Sequence, residues 1–163
     1  MSPAATQAPP ERASDRRLAE LILDLMPLMG RFMTEALREQ DAPSLERMRL
    51  ITRVANGPIR AGELAQSCLL SAATVSQLVE SLVQDGYLRR EEDPTDRRAV
   101  VIDLTESGTR EYHRVRAALG RRIVQRLSEL TAERRARLAL AFTDLHDVFA
   151  APATSKEAQR HVR

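Results

Sequence analysis

The chain lacks several features that define other classes of protein. Its 163 residues include one cysteine, so a disulfide-stapled secreted scaffold is excluded. No apolar run reaches the roughly 18 residues that a membrane-spanning helix needs. The stretch from Met1 to Arg12 has no apolar segment behind a positive region, which predicts no secretory signal. These absences together predict a protein of the reducing cytoplasm.

Catalytic constellations and a strong charge imbalance are missing as well. An enzyme needs a nucleophile–base pair, a metal cluster or a glycine-rich phosphate loop, and the sequence contains none of these patterns. The three histidines, His113, His146 and His161, have no metal-ligand spacing with each other or with Cys68. The net charge of +2 permits nucleic-acid binding but does not establish it. We therefore expect neither an enzyme nor a bound cofactor or metal ion.

The N-terminal third predicts a disordered tail followed by helices. Residues 1–13 are rich in proline and alanine, and helix begins near Ser14 or Asp15. A broad apolar stripe then runs to about Arg38, and Pro27 inside it is expected to kink or split the helix. The stripe consists of Leu18, Leu21, Ile22, Leu25, Met29, Phe32, Met33, Ala36 and Leu37. A second helix is predicted over 44–55, and Ile59 is a candidate for a very short strand.

Residues 62–86 predict two helices joined by a tight turn. A short helix over 62–67 precedes a turn at Cys68–Leu70, and Ser71 and Gly86 are a good N-cap and C′ residue for the next helix. Helical spacing puts one apolar face inward, namely Val75, Leu78, Val79 and Leu82. The opposite face is small or polar, as a helix that enters a DNA major groove requires. Its members are Ala72, Ala73, Ser76, Gln77 and Glu80.

A β-hairpin follows directly. Two β-prone runs, 87–91 and 100–104, flank a polar hinge at 93–98, where Pro94 presets a turn and Asp93 and Asp96 can bond nearby backbone amides. The hinge carries Arg97 and Arg98 at or near the hairpin tip. Such a tip suits a narrow, electronegative slot such as a DNA minor groove. The alternative is a solvated charge cluster in which the two acids balance the two arginines.

The remaining chain predicts two more helices. Thr105 caps a long helix to about Leu130, and Thr131 begins another that Pro152 ends; a polar, flexible tail follows at 151–163. Three long amphipathic helices thus lie outside the hairpin region, and their apolar stripes are too wide to remain in water. A second copy of the chain is the simplest partner that would cover these apolar stripes. The alternative is a monomeric helical bundle.

In its hairpin region the sequence resembles the MarR family of winged-helix transcription regulators. Asp93–Arg98 matches the family's D-P-x-D-R-R wing, and Leu104–Gly108 matches its L-T-x-x-G, without a gap. The resemblance, over about residues 14–150, implies a mostly α fold with a small β-wing. It implies a winged helix-turn-helix at 44–104 between dimerisation helices at 14–43 and 105–150. One departure is that Arg60 and Ala61 stand where relatives have a Ser or Thr cap.

The resemblance also implies a DNA-binding site and an effector. The DNA-contacting residues would be Ser71, Ala72, Ala73, Thr74, Ser76, Gln77, Asp96, Arg97 and Arg98. By analogy with the family wing, Arg98 enters the minor groove, Asp96 orients an arginine and Arg97 lies nearer a phosphate. Many relatives have arginine where this chain has Gln77, so an amide contact to adenine can replace a guanine or phosphate contact. A solvated helix face is the alternative for the polar residues at 71–77.

The expected function is a dimeric regulator, a repressor that binds an inverted-repeat operator and that an aromatic or phenolic effector releases. Flexible methionines and a nearby aromatic residue are the ligand candidates, although ordinary core packing explains them equally well. They are Met26, Met29, Met33 and Phe32. One alternative is a constitutive or architectural DNA binder without an effector. Another is a redox-responsive regulator through Cys68, but peroxide-sensing relatives carry their cysteine near the start of the first helix, so small buried packing is its default role.

Overall fold

The computed structural model describes residues 13–93 and 96–150, and of residues 96–98 it describes only the backbone. Of the predicted tails, 1–13 and 151–163, residues 1–12 and 151–163 lie outside the described residues, and Ala13 already belongs to the first helix. The chain divides into two compact units, Met1–Gly120 and Arg121–Arg163. The described elements are α1 (Ala13–Glu39), α2 (Leu45–Val54), β1 (Ile59–Arg60), α3 (Ala61–Cys68), α4 (Ala72–Gln84), β2 (Leu88–Asp93), β3 (Asp96–Leu104), α5 (Glu106–Leu127) and α6 (Ala132–Ala150). This order confirms the mostly α fold with a small β-wing.

Helix α1 is continuous through Pro27, so of the two expected effects, a kink or a split, the split does not occur. Proline removes a single backbone donor, and the turns on either side keep their own hydrogen bonds. Only Ala36 and Leu37 of this helix are buried. Four of the nine residues of its apolar stripe are exposed in the single chain, namely Leu18, Leu21, Leu25 and Met29. Three further apolar residues of the helix are also exposed: Leu23, Met26 and Leu28.

Helix α2 supplies the centre of the core of the first unit. Ser44 caps it, because the Ser44 hydroxyl accepts a hydrogen bond from the Arg47 backbone N–H at 3.5 Å. Its buried residues are Met48, Leu50, Ile51 and Val54. Residues from seven other elements pack around them, namely Leu37, Ile59, Leu64, Val79, Leu82, Leu88, Ile102 and Val115.

The sheet has three antiparallel strands in the order β1-β3-β2. The expected third strand is present, with Ile59 paired to Ile102. The hairpin extends further than predicted, because Asp93 pairs with Asp96. The backbone of 96–98 therefore belongs to β3 rather than to an irregular hinge.

The predicted helix pair is present as α3 and α4. Helix α3 is longer than expected: Cys68 is its last residue, not part of the turn, and is buried. Leu69 follows in the left-handed conformation, with φ 54° and ψ 39°. At the other end, Arg60 holds the N-cap position and makes no side-chain cap bond. The absence of a Ser or Thr there leaves the start of α3 without the usual cap, yet the helix forms.

Helix α5 begins on the turn that ends α4. The Thr105 hydroxyl accepts a hydrogen bond from the Gly108 N–H at 2.9 Å and donates one to the Gly86 carbonyl at 2.6 Å. The Thr105 N–H donates to the Tyr87 carbonyl at 3.1 Å. The L-T-x-x-G motif therefore both caps α5 and fixes its first turn to the end of the helix pair.

In the second unit, Thr131 caps α6 as predicted, its hydroxyl accepting from the Arg134 N–H at 3.3 Å. Helix α6 has no buried residue. Large apolar side chains of this unit are exposed: Ile123, Val124, Leu140, Phe142, Val148 and Phe149. Within the described ranges no helix has the length and apolar character needed to cross a membrane.

Candidate nucleic-acid interface

The start of α4 is fixed by its own side chains. The Ser71 hydroxyl accepts a hydrogen bond from the Thr74 N–H at 3.1 Å and shares another with the Thr74 hydroxyl at 2.7 Å. These two residues, both predicted to contact DNA, are thus held in a defined geometry at the N-terminus of the helix. The partial positive charge of a helix N-terminus favours a phosphate there.

All six predicted contact residues of α4 share one exposed face. They are Ser71, Ala72, Ala73, Thr74, Ser76 and Gln77. The opposite face is buried through Val75, Val79 and Leu82, while Leu78 is half-buried. Alanines in the first turn leave the helix backbone accessible to a close surface, and the hydroxyl and amide groups that follow can meet base edges. This surface, residues 71–77, is called the reading face below.

The far end of α4 is held by an ion pair that the sequence did not indicate. The guanidinium of Arg47, near the start of α2, donates to the carboxylate of Asp85, the C-cap residue of α4. The Arg47 Nε atom is buried and has no hydrogen-bond partner. Both ends of the helix are therefore fixed, the first by its local cap and the second by a contact to α2.

The wing carries two kinds of ion pair. On its exposed side, Arg89 binds Asp103 at 2.6 Å and Glu91 at 2.9 Å. The hydrogen bond to Asp103 raises the pKa of Arg89, and the charge of Glu91 adds to the effect. Such exposed pairs contribute little to stability.

The second ion pair of the wing is buried at its carboxylate. The Asp93 carboxylate accepts from Arg60 Nε at 2.8 Å and Arg60 Nη2 at 2.6 Å, a partner that the sequence did not indicate. The expected bonds from Asp93 to backbone amides of the turn stay a prediction, because residues 94–95 lie outside the described residues.

The predicted contacts at the wing tip lie largely outside the described residues. The backbone of Asp96, Arg97 and Arg98 forms the start of β3. Their side chains, and residues 94–95, are not among the described parts. Minor-groove insertion by Arg98, a phosphate contact by Arg97 and orientation by Asp96 remain predictions.

A pocket of about 320 Å³ opens beside α2. Its lining is mainly apolar, with two arginines and several polar groups: Met33, Leu37, Leu45, Met48, Arg49, Thr52, Arg53, Asn56, Ser67, Cys68 and Leu119. Of the four candidate ligand residues only Met33 lines it. Met26 and Met29 are exposed on α1, and Phe32 is half-buried outside this lining.

Within the pocket wall, Arg49 connects α2 to the end of α3. Its Nη2 donates to the Cys68 carbonyl at 3.3 Å. The Cys68 thiol is buried, and its nearest hydroxyl, Ser67 Oγ, lies at 4.0 Å. Burial removes the exposure that a redox-sensing thiol needs. Over residues 13–93 and 96–150, no three His, Cys, Asp or Glu side chains gather where they could hold a metal ion.

Comparison with known protein sequences matches this chain to HTH-type transcriptional regulators. The uncharacterized HTH-type transcriptional regulator YcgE of Bacillus subtilis (strain 168) is 52% identical over 46 residues, which span 28% of this chain and only 30% of YcgE. The HTH-type transcriptional repressor NicR of Pseudomonas putida is 35% identical over 69 residues, 40% of this chain and 44% of NicR. The uncharacterized HTH-type transcriptional regulator ML2140 of Mycobacterium leprae (strain TN) is 30% identical over 124 residues, 75% of this chain and 85% of ML2140. A sequence model of the MarR family matches residues 44–99. The chain belongs to the MarR family.

Solved structures confirm the MarR winged-helix fold. RV1404 from Mycobacterium tuberculosis superposes with a TM-score of 0.76 at 20% identity, over 89% of this chain and 99% of that one. A mutant of MarR from E. coli complexed with operator DNA gives a TM-score of 0.60 at 22% identity, over 79% and 93%. These structures share the fold of the chain, and the sequence relatives show that it is a MarR-family transcriptional regulator.

Two ion pairs of this MarR-family chain were missed from the sequence. Arg47 and Asp85 are 38 residues apart, and Arg60 and Asp93 are 33 apart, so no local pattern joins them. One signal was available for the second pair. Arginine in place of a capping Ser or Thr at position 60 indicates that the side chain there has a partner elsewhere.

Proposed function

We propose that the protein is a dimeric, sequence-specific repressor that binds DNA through the reading face of α4 and through the wing. The observation that carries this proposal is the exposed small and polar face at 71–77 on a helix fixed at both ends. A helix held in this way loses little conformational freedom when it enters a major groove. The winged helix-turn-helix at 44–104 would contact DNA, and the wing would lie in the adjacent minor groove.

Individual roles follow from the chemistry of the side chains. The Gln77 amide has the donor and acceptor needed to bond adenine at N7 and N6. Ala72 and Ala73 can contact a thymine methyl group, and Ser76 can bond a base edge or a phosphate. Arg97 and Arg98 at the wing tip would supply the positive charge that a narrow minor groove attracts.

Dimerisation is supported by apolar surface that the single chain leaves exposed. Seven large apolar residues are exposed on α1, and others are exposed on α6 and the end of α5. Exposed apolar area on this scale marks a protein–protein interface. The helices at 14–43 and 105–150 would form that interface in a two-fold dimer and so present two reading faces to an inverted-repeat operator. Repression is supported by the likeness to NicR, which is named as a repressor.

Release by an effector is supported by the pocket beside α2. Met33, Met48 and Leu119 offer apolar contacts, and Arg49 and Arg53 can pair with an anion. An aromatic or phenolic anion has both features. A carboxylate that engages Arg49 would compete with the Cys68 carbonyl and weaken the contact between α2 and α3. The effector would thereby shift the population toward dimers that do not fit the operator.

Footprinting on the chain's own upstream DNA tests the core of the proposal. A protected inverted repeat is expected, and no protection above random DNA would contradict sequence-specific regulation. The matched pair of variants is Gln77→Ala and Gln84→Ala, since both glutamines are exposed on the same side of α4 but Gln84 lies two turns beyond the reading face, at the end of the helix. Gln77→Ala should weaken operator binding by about tenfold, the scale of one lost base contact, while Gln84→Ala should leave it unchanged.

The wing is tested in the same assay. The Arg97→Ala/Arg98→Ala double variant should lose at least about tenfold in operator affinity at fixed salt, with helical content and dimerisation unchanged. Operator binding equal to that of the wild type would remove the wing from the proposal and leave α4 as the only DNA contact.

A further inference from the structure

Asp93 and Arg60 form an ion pair. Its place in the fold gives it a role beyond balancing charge. In the part of the chain that the structure describes, Asp93 is the only polar or charged residue that is buried. Two nitrogens of Arg60 donate to the same carboxylate oxygen, Nε at 2.8 Å and Nη2 at 2.6 Å. The side chain of Asp93 is 9% exposed and that of Arg60 is 44% exposed. The carboxylate is thus enclosed while the guanidinium reaches it from the protein surface.

A strand irregularity brings Asp93 to this position. Side chains alternate between the two faces of a strand, so Leu88, Arg90 and Glu92 should share one face and Asp93 the other. The register shifts between Glu92 and Asp93, however, and Asp93 is buried like Leu88. An irregularity of this kind redirects a side chain at the end of a strand. The wing is therefore built so that its last residue before the loop points toward β1.

Arg60, the partner of Asp93, lies where β1 leads into the helix-turn-helix. It is the second residue of β1, paired with Val101 of β3, and it is also the N-cap residue of α3. Its side chain makes no cap bond to α3. The ion pair consequently joins the outer end of the wing to the start of the helix pair that contains α4. The hairpin otherwise contacts the body of the first unit through the core residues Leu88, Ile102 and Leu104 and through the pairing of β1 with β3, all on the inner side of Asp93.

We propose that Arg60 and Asp93 are positioning residues for DNA binding: their ion pair sets the angle at which the wing leaves the helix-turn-helix, so that the wing tip reaches the minor groove while α4 occupies the major groove. This inference rests on the proposed function, because it needs the wing to contact DNA. Neither residue itself needs to contact DNA, since the pair acts through Arg97 and Arg98.

The direction in which Asp93→Asn changes operator affinity distinguishes a positioning role from a purely electrostatic one. Asp93→Asn removes a negative charge from a DNA-binding surface, which by itself should strengthen operator binding. The positioning role requires the opposite, a loss of at least about fivefold, because a neutral amide holds the guanidinium less firmly. The matched control is Asp103→Asn, which removes the same charge from the exposed Arg89 pair on the same hairpin. The control should bind operator as tightly as the wild type or more tightly.

A double-mutant cycle separates positioning from a purely structural role. Asp93→Asn is compared in the wild-type background and in the Arg97→Ala/Arg98→Ala background, by gel-shift titration with the full chain on its footprinted operator. A positioning pair costs affinity only while the wing arginines are present, so the loss should fall below about twofold in the second background. An equal loss in both backgrounds would overturn the proposal, because the pair would then act on the whole fold.

Folding is checked by far-ultraviolet circular dichroism and urea titration of each variant. If Asp93→Asn does not fold, Arg60→Lys takes its place in the same cycle, since lysine keeps the charge but loses the planar fork that donates twice to one oxygen. If the double arginine variant binds normally, the proposed wing contact is wrong, and the positioning proposal is overturned with it. If the arginine variant weakens binding but Asp93→Asn and Arg60→Lys do not, only the positioning proposal is overturned.

Discussion

Gly108 lies directly against the backbone carbonyl of Tyr87. A Cβ atom at Gly108 would overlap the carbonyl oxygen, and it would lie 2.9 Å from the carbonyl carbon and 3.1 Å from Cδ2 of Leu104. The same carbonyl oxygen accepts the Thr105 N–H. The close approach is what the last residue of the L-T-x-x-G motif provides: α5 can begin on the turn after α4 only if its third residue has no side chain.

Replacing Gly108 with alanine should therefore destabilise the first unit. The obstacle is backbone, which cannot rotate away, so we expect a loss of about 1–3 kcal/mol in the free energy of unfolding. Gly120 is the matched control in the same helix, because a Cβ there meets nothing within 4 Å. Gly120→Ala should raise stability by about 0.5–1 kcal/mol, since alanine favours a helix interior. Urea titration measures both, and equal stability of the two variants would contradict this account.

Substitution of Leu69 by asparagine should have the opposite effect and increase the free energy of unfolding. It is held in the left-handed region at φ 54° and is 89% exposed, so it bears backbone strain and buries almost nothing. Leu69→Asn should stabilise the fold by about 0.5–1 kcal/mol, because asparagine tolerates this conformation at a helix end. Leu69→Ala keeps the strain and should change the free energy of unfolding little. A stabilisation by alanine as large as that by asparagine would assign the effect to the exposed side chain instead.

Operator geometry should follow from two-fold symmetry. Half-site centres of an inverted repeat are expected about one helical turn, roughly 10 bp, apart. An insertion of about 5 bp between them turns one half-site to the opposite side of the duplex and should abolish specific binding, whereas about 10 bp restores the facing. Gel shifts measure the affinity of the protein for the original operator and for the two operators with insertions. Full binding to the shorter insertion would mean that the two reading faces are not rigidly connected.

The pocket predicts an effect of aromatic carboxylates on the dimer. A thermal-shift panel of benzoate and phenolic acids should raise the melting temperature, and any stabilising ligand should reduce operator affinity in gel shifts. Arg49→Gln should weaken ligand binding by about tenfold or more, the scale of one charge-assisted hydrogen bond. Arg38→Gln makes the same charge change on α1 outside the pocket lining and serves as the control. If ligands stabilise the protein without changing operator affinity, a constitutive DNA binder is the better account.

Local features of the sequence predicted the elements of the winged helix-turn-helix well. Ser44, Ser71, Thr105 and Thr131 each cap the helix that the sequence indicated. Caps bond backbone donors within three residues, so they depend on little beyond the chain itself. The inner face of α4 followed from helical spacing for the same reason. Pro27 was the exception, because one missing backbone donor does not end a helix that is otherwise well formed.

The extent of the wing and the position of Cys68 needed the three-dimensional pairing. The turn chemistry of Asp93–Arg98 indicated a hinge, but pairing with the neighbouring strand extends the hairpin to Asp93 and Asp96. Cys68 became the last residue of α3 because Leu69 adopts the left-handed conformation that ends the helix. Leucine rarely adopts this conformation at the end of a helix, so nothing in the sequence indicated that α3 ends at Cys68.

The sequence by itself determined the MarR-type order of helices, turn and wing, and the small polar character of the reading face, since both arise from spacing and caps over a few residues. Only the tertiary structure decided what holds these parts at their angles. The Arg47–Asp85 and Arg60–Asp93 pairs join residues more than 30 positions apart, and the Gly108–Tyr87 contact joins α5 to the turn after α4. Such contacts have no periodicity along the chain, because they form only after the core around α2 has brought distant segments together.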